Sequence, residues 1–508
     1  MDENSRFIAK RALIAAGLTV GFYLLAVAII GVLLFIPYAE WRYAHRIHFK
    51  IVIICLGAAG AIVAALIPPK DEFKVGGMRL ERESQPRLFK EVEDIAKAMN
   101  QVPPSEVYLV PEVNAWVTEH GGRGGSRRIM GLGLPLLAVL DLSQFRAVLA
   151  HEFGHYYGGD TKLGPWLYRT RMTIGRTVKG LSERGHSVLQ VPFRKYGELF
   201  LRITQKVSRL QELKADELAA RHAGVTAMAD GLTTIHSGGA AFDLYWGNEV
   251  VPVLSEGYVP PILEGFAAFM KQANVKAFLS KQMDESLTQS DGDLYDSHPP
   301  LRQRLDAIEK VKGASVERRK EPVLSILRNV EELEREMIAG LARASGGPER
   351  LEPVAWTDAG QIALLPRWRK IATAYSGLLE GVLPENLPGV VKNMEDFYSK
   401  LSGMAEDEPS RDEIERRAAF IIGASLAVAL AGKGWIVRNE VGSPVRMEKD
   451  GESIIPFSVA PDLASGKASE EAWKEFCARS GIAGTMLGGA DAAAGAAEPR
   501  ECLVAPAS

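Results

Sequence analysis

The chain has 508 residues, of which 47% are hydrophobic and 24% are charged. This length exceeds one ordinary hydrophobic core and predicts two or three domains. The formal net charge of -3 excludes the strong basic excess that is typical of nucleic-acid-binding proteins. The three cysteines lack the spacing of a metal site and indicate a reducing compartment.

The first 70 residues predict a membrane hairpin. No charged residue occurs from Ala12 to Ala39, and a second uncharged segment runs from Ile51 to Pro69. A bilayer is crossed by roughly 20 apolar residues, whereas the apolar region of a secretory signal peptide has only about 7 to 15. We therefore expect two membrane helices, at about 12–37 and 51–69.

The flanks of these segments predict how the hairpin is oriented. Trp41 and Tyr43 in the connecting loop are typical of a membrane interface. Nine Lys or Arg residues lie outside the two spans, against three in the loop, which places both ends in the cytoplasm. In a bacterium the chain would be a multi-pass inner-membrane protein whose soluble part faces the cytoplasm. Four small residues would allow close contact between the two helices, although such residues are common in membrane helices: Gly17, Gly21, Gly57 and Gly60.

Three short strands are expected next, at about 106–110, 114–120 and 128–132, as a small antiparallel sheet. The edge formed by Asn114, Ala115 and Trp116 could hold the backbone of a peptide substrate by strand addition. A purely structural hairpin is an equally consistent interpretation of this segment.

The most informative motif is His151-Glu152-Phe153-Gly154-His155, in a helix expected to begin with Ser143 as its N-cap and to end at Gly158-Gly159. Residues four apart on a helix share a face, so His151 and His155 can share a Zn²⁺ ion while Glu152 reaches its water. With nine histidines in the chain, the motif is expected by chance in on the order of one in a hundred such chains. Two structural histidines are the alternative.

A catalytic zinc site has three protein ligands and one position for water, so a third ligand is required. A predicted helix at about 199–222 carries Glu212 and Asp216 on one face. Glu212 could complete the site, while Asp216 accepts a hydrogen bond from a ligating imidazole. Without the upstream motif, this pair would be more typical of a solvated helix surface.

Two further segments have features that bear on function. Residues 161–210 hold eleven Lys or Arg against two acidic residues, which suits either the anionic surface of a membrane or ordinary solvated helices. His298 precedes Pro299-Pro300 at a helix entrance, a rigid position that suits stabilisation of an oxyanion. Taken alone, His298 is more typical of a surface turn.

Together these residues resemble the membrane-anchored zinc metallopeptidases typified by HtpX and the type I CAAX prenyl protease. The resemblance covers roughly residues 70–312 and rests on the His-Glu-x-x-His motif, Glu212 with Ala215-Asp216, Asn114-Ala115, and Ser297-His298-Pro299-Pro300 followed by Arg304. It implies a gluzincin-type metallopeptidase in which His151, His155 and Glu212 bind one zinc ion and Glu152 is the general base. It also implies that Asp216 supports a ligand, that Asn114 marks the substrate-binding strand, and that His298 and Arg304 assist catalysis.

The chain departs from this pattern in two ways, because no further apolar span follows the motif and a large C-terminal region is added. Two spans also disfavour the prenyl protease branch, which resembles a multi-span barrel. In the C-terminal region, 418–432 is too short to span a bilayer and predicts a buried helix. Segments 435–441, 445–449 and 453–459 predict a small antiparallel sheet with a turn at Asp450-Gly451.

The expected fold is mainly α with a small antiparallel sheet. We expect a membrane hairpin (1–70), a metallopeptidase domain (71–312), a C-terminal α+β accessory domain (313–483) and a disordered Ala/Gly-rich tail (484–508). The expected function is that of a zinc-dependent endopeptidase that cleaves membrane or membrane-proximal proteins, with a role in protein quality control. The alternative is an inactive metal-binding scaffold, which the presence of Glu152 disfavours.

Overall fold

A computed structural model describes residues 3–67, 76–122, 125–156, 164–183, 187–288, 298–312, 316–344, 351–403 and 410–487. The chain forms two compact units. The first contains Met1–His236 and Met283–Arg328, and the second contains Ser237–Gln282 and Asn329–Ser508. The second unit thus includes Ser237–Gln282, which the sequence-based boundaries assign to the metallopeptidase domain. The predicted tail lies outside the described residues from position 488 onward.

The described residues are mostly helical, as expected. The α-helices, in chain order, are α1 (Glu3–Ala44), α2 (Phe49–Leu66), α3 (Pro86–Ala98), α4 (Leu134–Val139), α5 (Leu142–Gly154), α6 (Gly164–Glu183), α7 (Ser187–Ala223), α8 (Val225–Tyr245), α9 (Val251–Leu254), α10 (Ile262–Phe269), α11 (Ala273–Thr288), α12 (Leu301–Glu309), α13 (Val330–Ala344), α14 (Trp356–Ala359), α15 (Leu365–Ala374), α16 (Leu387–Lys392), α17 (Glu395–Gly403), α18 (Arg411–Gly432), α19 (Val459–Ala464) and α20 (Glu470–Ser480). The strands are β1 (Met78–Leu80), β2 (Glu106–Val110), β3 (Ala115–Gly122), β4 (Gly125–Gly133), β5 (Tyr258–Val259), β6 (Glu352–Pro353), β7 (Ile436–Arg438), β8 (Arg446–Lys449) and β9 (Glu452–Ile454).

Helices α1 and α2 form the predicted hairpin. Their segments Ala16–Ala44 and Phe49–Leu66 are long and apolar enough to cross a membrane. Many of their apolar side chains point outward, and Leu24 and Ile53 are 63% and 69% exposed. Lipid can cover such side chains without the cost that water would impose, which agrees with a membrane location.

Helices α6 and α7 pack against this hairpin in the first unit. Their side chains Ile174, Leu181, Phe193 and Phe200 form one buried cluster with Phe22, Ala26, Ala61 and Ile62 of α1 and α2. The predicted role of the glycines is wrong in this respect, because a Cβ atom on Gly17, Gly57 or Gly60 would have no described atom within 4 Å. Gly21 instead faces α7, where a Cβ atom would lie 2.3 Å from the Tyr196 hydroxyl.

The sheet of the first unit has four strands in the order β1-β2-β4-β3. The expectation of an antiparallel sheet is therefore wrong in part, because β2 pairs with β4 in parallel while β3 pairs with β4 in antiparallel. The apolar strand β4 lies inside the sheet, with Ile129, Met130 and Leu132 buried. Strand β3 carries polar residues such as Thr118 and Glu119 and takes the edge, where solvent is accessible.

Helix α5 carries the His-Glu-x-x-His motif through the interior of the first unit. Its N-cap is Asp141 rather than Ser143: the Asp141 side chain accepts from the Gln144 backbone N–H, and the Gln144 side chain accepts from the Asp141 backbone N–H, each at 2.8 Å. The helix ends at Gly154, and the predicted end at Gly158-Gly159 lies outside the described residues.

The second unit contains the predicted buried helix and three-stranded sheet. Helix α18 buries the apolar run that begins at Ala418, and β7, β8 and β9 pair antiparallel. Asp450 and Gly451 both have positive φ, at 52° and 83°, as the two-residue hairpin turn requires. Strand β9 ends at Ile454 instead of 459, because a short 3₁₀ turn begins at Pro456.

Candidate metal centre and active site

Helices α5 and α7 bring three predicted ligands together. The Nε2 atoms of His151 and His155 lie 3.2 Å apart. Glu212 on α7 faces them, with its oxygens 3.5 Å from His151 Nε2 and 3.6 Å from His155 Nε2. These ligand atoms all lie within 4.8 Å of one another, so the described residues form a group that could hold a metal ion.

Close approach of the two helices produces this arrangement. A Cβ atom on Gly154 would lie 3.1 Å from the Cα atom of Ala215 on α7. Because glycine has no side chain, the backbone of α5 can pass close to α7 at this point. Glu212 lies one turn before Ala215 and is thereby directed toward the two imidazoles.

The donor set fits a divalent metal with tetrahedral coordination. Nitrogen and oxygen ligands lie about 2.0–2.2 Å from Zn²⁺, so tetrahedral ligands lie roughly 3.3–3.5 Å from one another. The two imidazole nitrogens are 3.2 Å apart, and the nearest Glu212 oxygens, Oε2 at 3.5 Å from His151 and Oε1 at 3.6 Å from His155, lie close to this range. Among the described residues, the buried Oε2 atom of Glu212 has no hydrogen-bond partner, and a cation between the three side chains would satisfy it.

The protonation of the three residues also suits a metal site. Burial would raise the pKa of Glu212, but the His151 side chain lowers it to about 2, so the carboxylate is ionised. Burial lowers the pKa of His155 to about 4, so its imidazole is neutral and able to bind metal. Burial would also lower the pKa of His151, but the neighbouring carboxylates of Asp216 and Glu212 raise it to about 9. A metal ion therefore has to displace a proton from His151.

Asp216 connects a ligand to a buried arginine. Its Oδ1 atom lies 2.9 Å from His151 Nδ1, and it accepts two hydrogen bonds from Arg304 on α12, at 2.7 and 2.8 Å. Asp216 is fully buried, and Arg304 is 8% exposed. Burial would raise the pKa of Asp216, but Arg304 and His151 lower it to about 2. The ionised Asp216 thus orients His151 so that Nε2 faces the metal position.

Glu152 lies beside this group and is held by the edge strand. Burial raises the pKa of Glu152 to about 7, although His151 and the nearby Val117 backbone N–H lower it. The Val117 carbonyl accepts from the Tyr156 hydroxyl at 2.7 Å. The ring of Tyr156 lies under the Arg128 guanidinium, 4.5 Å from the ring centroid. Val117 of β3 is therefore anchored on both sides by residues of the motif region.

A cleft of about 420 Å³ opens beside the candidate metal ligands, with His151 in its lining. Among the predicted residues, it is lined by Asn114, Ala115, His151, Glu152, His298 and Arg304. Trp116 is not among its lining residues, and its indole instead lies against Gly131 of β4. The Nε2 atom of His298 lies 3.7 Å from the Oε2 atom of Glu212, and the His298 side chain is 55% exposed.

Several residues of the site were not predicted from the sequence. No sequence spacing predicts the contact between Tyr156 and Val117, because the two residues come together only when β3 packs against α5. The apolar wall formed by Met228, Leu232 and Ile235 of α8 has helical spacing, which could have indicated a shared face. At the same cleft, His236 Nε2 lies 2.8 Å from the Ser286 hydroxyl.

Comparisons with known proteins relate the region that carries these residues to a family of peptidases. The model of peptidase family M48 matches residues 82–312. The curated Protease HtpX of Pseudomonas entomophila (strain L48) is 24% identical over 284 residues, covering 51% of this chain and 85% of the relative. That of Stutzerimonas stutzeri (strain A1501) is 25% identical over 292 residues, covering 53% and 89%. That of Pseudomonas savastanoi pv. phaseolicola (strain 1448A / Race 6) is 27% identical over 250 residues, covering 45% and 74%. No solved structure matches the chain.

Proposed function

We propose that the chain, whose residues 82–312 match the model of peptidase family M48, is a membrane-anchored, zinc-dependent endopeptidase of that family with one zinc ion per chain. It is a membrane-associated metallopeptidase. The observation that carries the proposal is the convergence of His151, His155 and Glu212 on one point beside the buried carboxylate of Glu152. Two nitrogens and one carboxylate are the ligand set of a hydrolytic zinc site that keeps a position for water.

Each residue has a proposed part in peptide hydrolysis. Zinc, when bound, supplies Lewis acidity to the attacking water and to the scissile carbonyl. Glu152 takes the proton of the water and delivers it to the leaving amine, a role for which a pKa near neutrality is suitable. Asp216 and Arg304 keep His151 in one orientation. His298 lies at the cleft, where its ring can donate to the developing oxyanion.

The edge of β3 is the proposed substrate-binding strand. The Gly133 N–H donates to the Asn114 carbonyl, so Asn114 forms a hydrogen-bonded pair with β4. Such pairs alternate along an antiparallel ladder, so the backbone N–H and C=O groups of Ala115 and Val117 point away from β4, toward the open edge of the sheet. The Val117 carbonyl accepts from Tyr156, the Val117 N–H lies near the Glu152 carboxylate, and the Ala115 N–H donates to the Asn114 side chain at 2.9 Å. The Ala115 carbonyl is therefore the proposed acceptor for a substrate N–H, with an apolar substrate side chain beside Leu232.

The hairpin supports a proposal about location and substrates. With two helices able to cross a membrane and basic flanks outside them, we assign both ends to the cytoplasmic side of a bacterial inner membrane. An anchored site of this kind favours membrane or membrane-proximal proteins as substrates, because such proteins are held at the same membrane as the site. A role in protein quality control would agree with such substrates.

The experiment compares wild-type protein and Glu152→Gln in cleavage of casein by the full chain in detergent, with and without a chelator. We expect the chelator to abolish cleavage and the variant to lose most of it, while zinc content is unchanged. Glu112→Gln, at an exposed position, is the matched control. Equal cleavage by Glu152→Gln would refute the mechanism, whereas no cleavage by the wild-type protein would favour a metal-binding scaffold.

The third ligand has a separate test. Glu212→Ala should lose stoichiometric zinc, measured by elemental analysis of the purified protein. Glu217→Ala is the control, because Glu217 lies on the same helix and pairs at the surface with Lys214 and Arg221. Zinc retained by Glu212→Ala would indicate a different ligand.

A further inference from the structure

A second cavity, of about 630 Å³, lies between α6 and α7, away from the metal centre. We propose that it is a binding site for an anionic glycerophospholipid of the membrane that holds the α1–α2 hairpin. The proposal depends on the membrane location of the hairpin and is independent of peptidase activity. Three observations carry it: the depth of the cavity along the hairpin, its cationic rim and its apolar floor.

Contacts along the hairpin give the depth of the cavity. Near the beginning of the membrane segment of α1, the Thr19 hydroxyl lies 3.3 Å from that of Thr170 on α6, and the Tyr196 hydroxyl on α7 donates to the Leu18 carbonyl. Further along α6, Gly180 lies against Ala65 near the end of α2.

Helices α6 and α7 thus pack beside the half of the hairpin that adjoins its two outer flanks. The basic flanks are the residues that precede the apolar span of α1 and those that follow α2, and basic flanks mark the side of the anionic cytoplasmic leaflet. The cavity between α6 and α7 is therefore at the level of the headgroups and the first part of the acyl chains.

The rim of the cavity is cationic. Arg171, Lys179 and Arg194 line it, and the acidic lining residue Glu198 is paired with Lys195 at 3.0 Å. Arg171 donates to two neutral groups, the hydroxyls of Thr204 and Ser208, so these contacts position its guanidinium without offsetting its charge. Guanidinium and ammonium groups that line one cavity at headgroup level are suited to a phosphodiester.

The floor of the cavity is apolar. Ile174, Val178 and Leu201 line it, next to the buried ring of Phe200. An apolar floor under a cationic rim complements an amphiphile with a negative head, because the acyl chain covers the floor while the phosphate meets the rim. A free phosphate would leave the floor without a partner, so we assign the site to the lipid.

The experiment is native mass spectrometry of the full-length protein in detergent, titrated with dioleoylphosphatidylglycerol or with dioleoylphosphatidylcholine. We expect the wild-type protein to retain phosphatidylglycerol in preference to phosphatidylcholine. A basic residue near an anionic lipid surface contributes about fivefold in affinity, so the double variant Lys179→Gln/Arg194→Gln should bind about thirtyfold more weakly. The matched control is Arg202→Gln/Lys206→Gln, two exposed residues of α7 that do not line the cavity.

A third variant tests the site without any change of charge. Gly175 lines the cavity, and a Cβ atom there would have no described atom within 4 Å, so Gly175→Leu should fill the space while α6 stays folded. We expect this variant to lose phosphatidylglycerol as the charge variant does. Equal loss in the control pair would show a general surface attraction and would overturn the proposal. Retained lipid in Gly175→Leu, or full competition by glycerol 3-phosphate, would overturn it as well.

Discussion

Replacing Arg304 by Gln tests how this residue serves the active site. The guanidinium makes two hydrogen bonds to Asp216, at 2.7 and 2.8 Å, and both side chains are buried. Removing one partner of a buried ion pair costs about 3–5 kcal/mol, because the other charge is left without compensation. Asp216 keeps its contact with His151 at 2.9 Å, so we expect the lower end of this range.

The same substitution should weaken metal binding. Without Arg304 the pKa of Asp216 rises, because the guanidinium is the main group that offsets burial of the carboxylate. A less firmly ionised Asp216 orients His151 less well, and loss of such support typically lowers metal affinity by roughly 10- to 100-fold. We expect a lower apparent melting temperature and weaker zinc retention in a competition titration with a chelator. Turnover should recover in part when zinc is in excess.

Two further variants make this test specific. Arg304→Lys keeps the charge but cannot form the two parallel hydrogen bonds, so it should fall between wild type and Arg304→Gln. Combining Arg304→Gln with Asp216→Asn should cost less than the sum of the single substitutions, since both remove one interaction. The reasoning is refuted if Arg304→Gln keeps its stability and zinc affinity yet loses turnover, because Arg304 would then act on the substrate directly.

Three other substitutions test separate parts of the structure. Tyr156→Phe removes the hydrogen bond to the strand beside Glu152, the proposed general base, so we expect kcat to fall by roughly two- to tenfold with KM little changed. A change in KM alone would contradict this prediction. Glu249 in the second unit has a pKa raised by burial to about 7, from 4.5, so the folded chain holds an extra proton between these values. Wild-type stability should therefore decline as pH rises from 4.5 to 7, and Glu249→Gln should flatten that decline in melting temperatures; an unchanged slope would exclude this assignment. Gly21→Val should displace the Tyr196 hydroxyl and lower the free energy of unfolding by about 1 kcal/mol, whereas Gly17→Val on the same helix should be neutral. Equal effects of the two substitutions would show that the contact with α7 does not cause the loss of stability.

Local pattern was sufficient for much of this protein. Four-residue spacing places His151 and His155 on one helix face in any fold that keeps the helix. Uncharged runs of bilayer length identify α1 and α2, and Asp450-Gly451 identifies the turn between β8 and β9. These features depend on residues close together in the chain, so the sequence alone was enough to predict them.

Tertiary structure decided which faces meet. Helical periodicity predicts that Glu212 and Asp216 share a face. The close approach of α5 to α7 at Gly154 directs Glu212 to the imidazoles of the motif. The partner of Asp216 is Arg304, 88 residues away, and no local pattern indicates that pair. The same holds for β4, which lies beside β2 in parallel because its apolar residues need the interior of the sheet, and for α6 and α7, whose apolar sides cover the hairpin. Such contacts join distant segments and depend on how their surfaces fit, which the order of residues along one element does not encode.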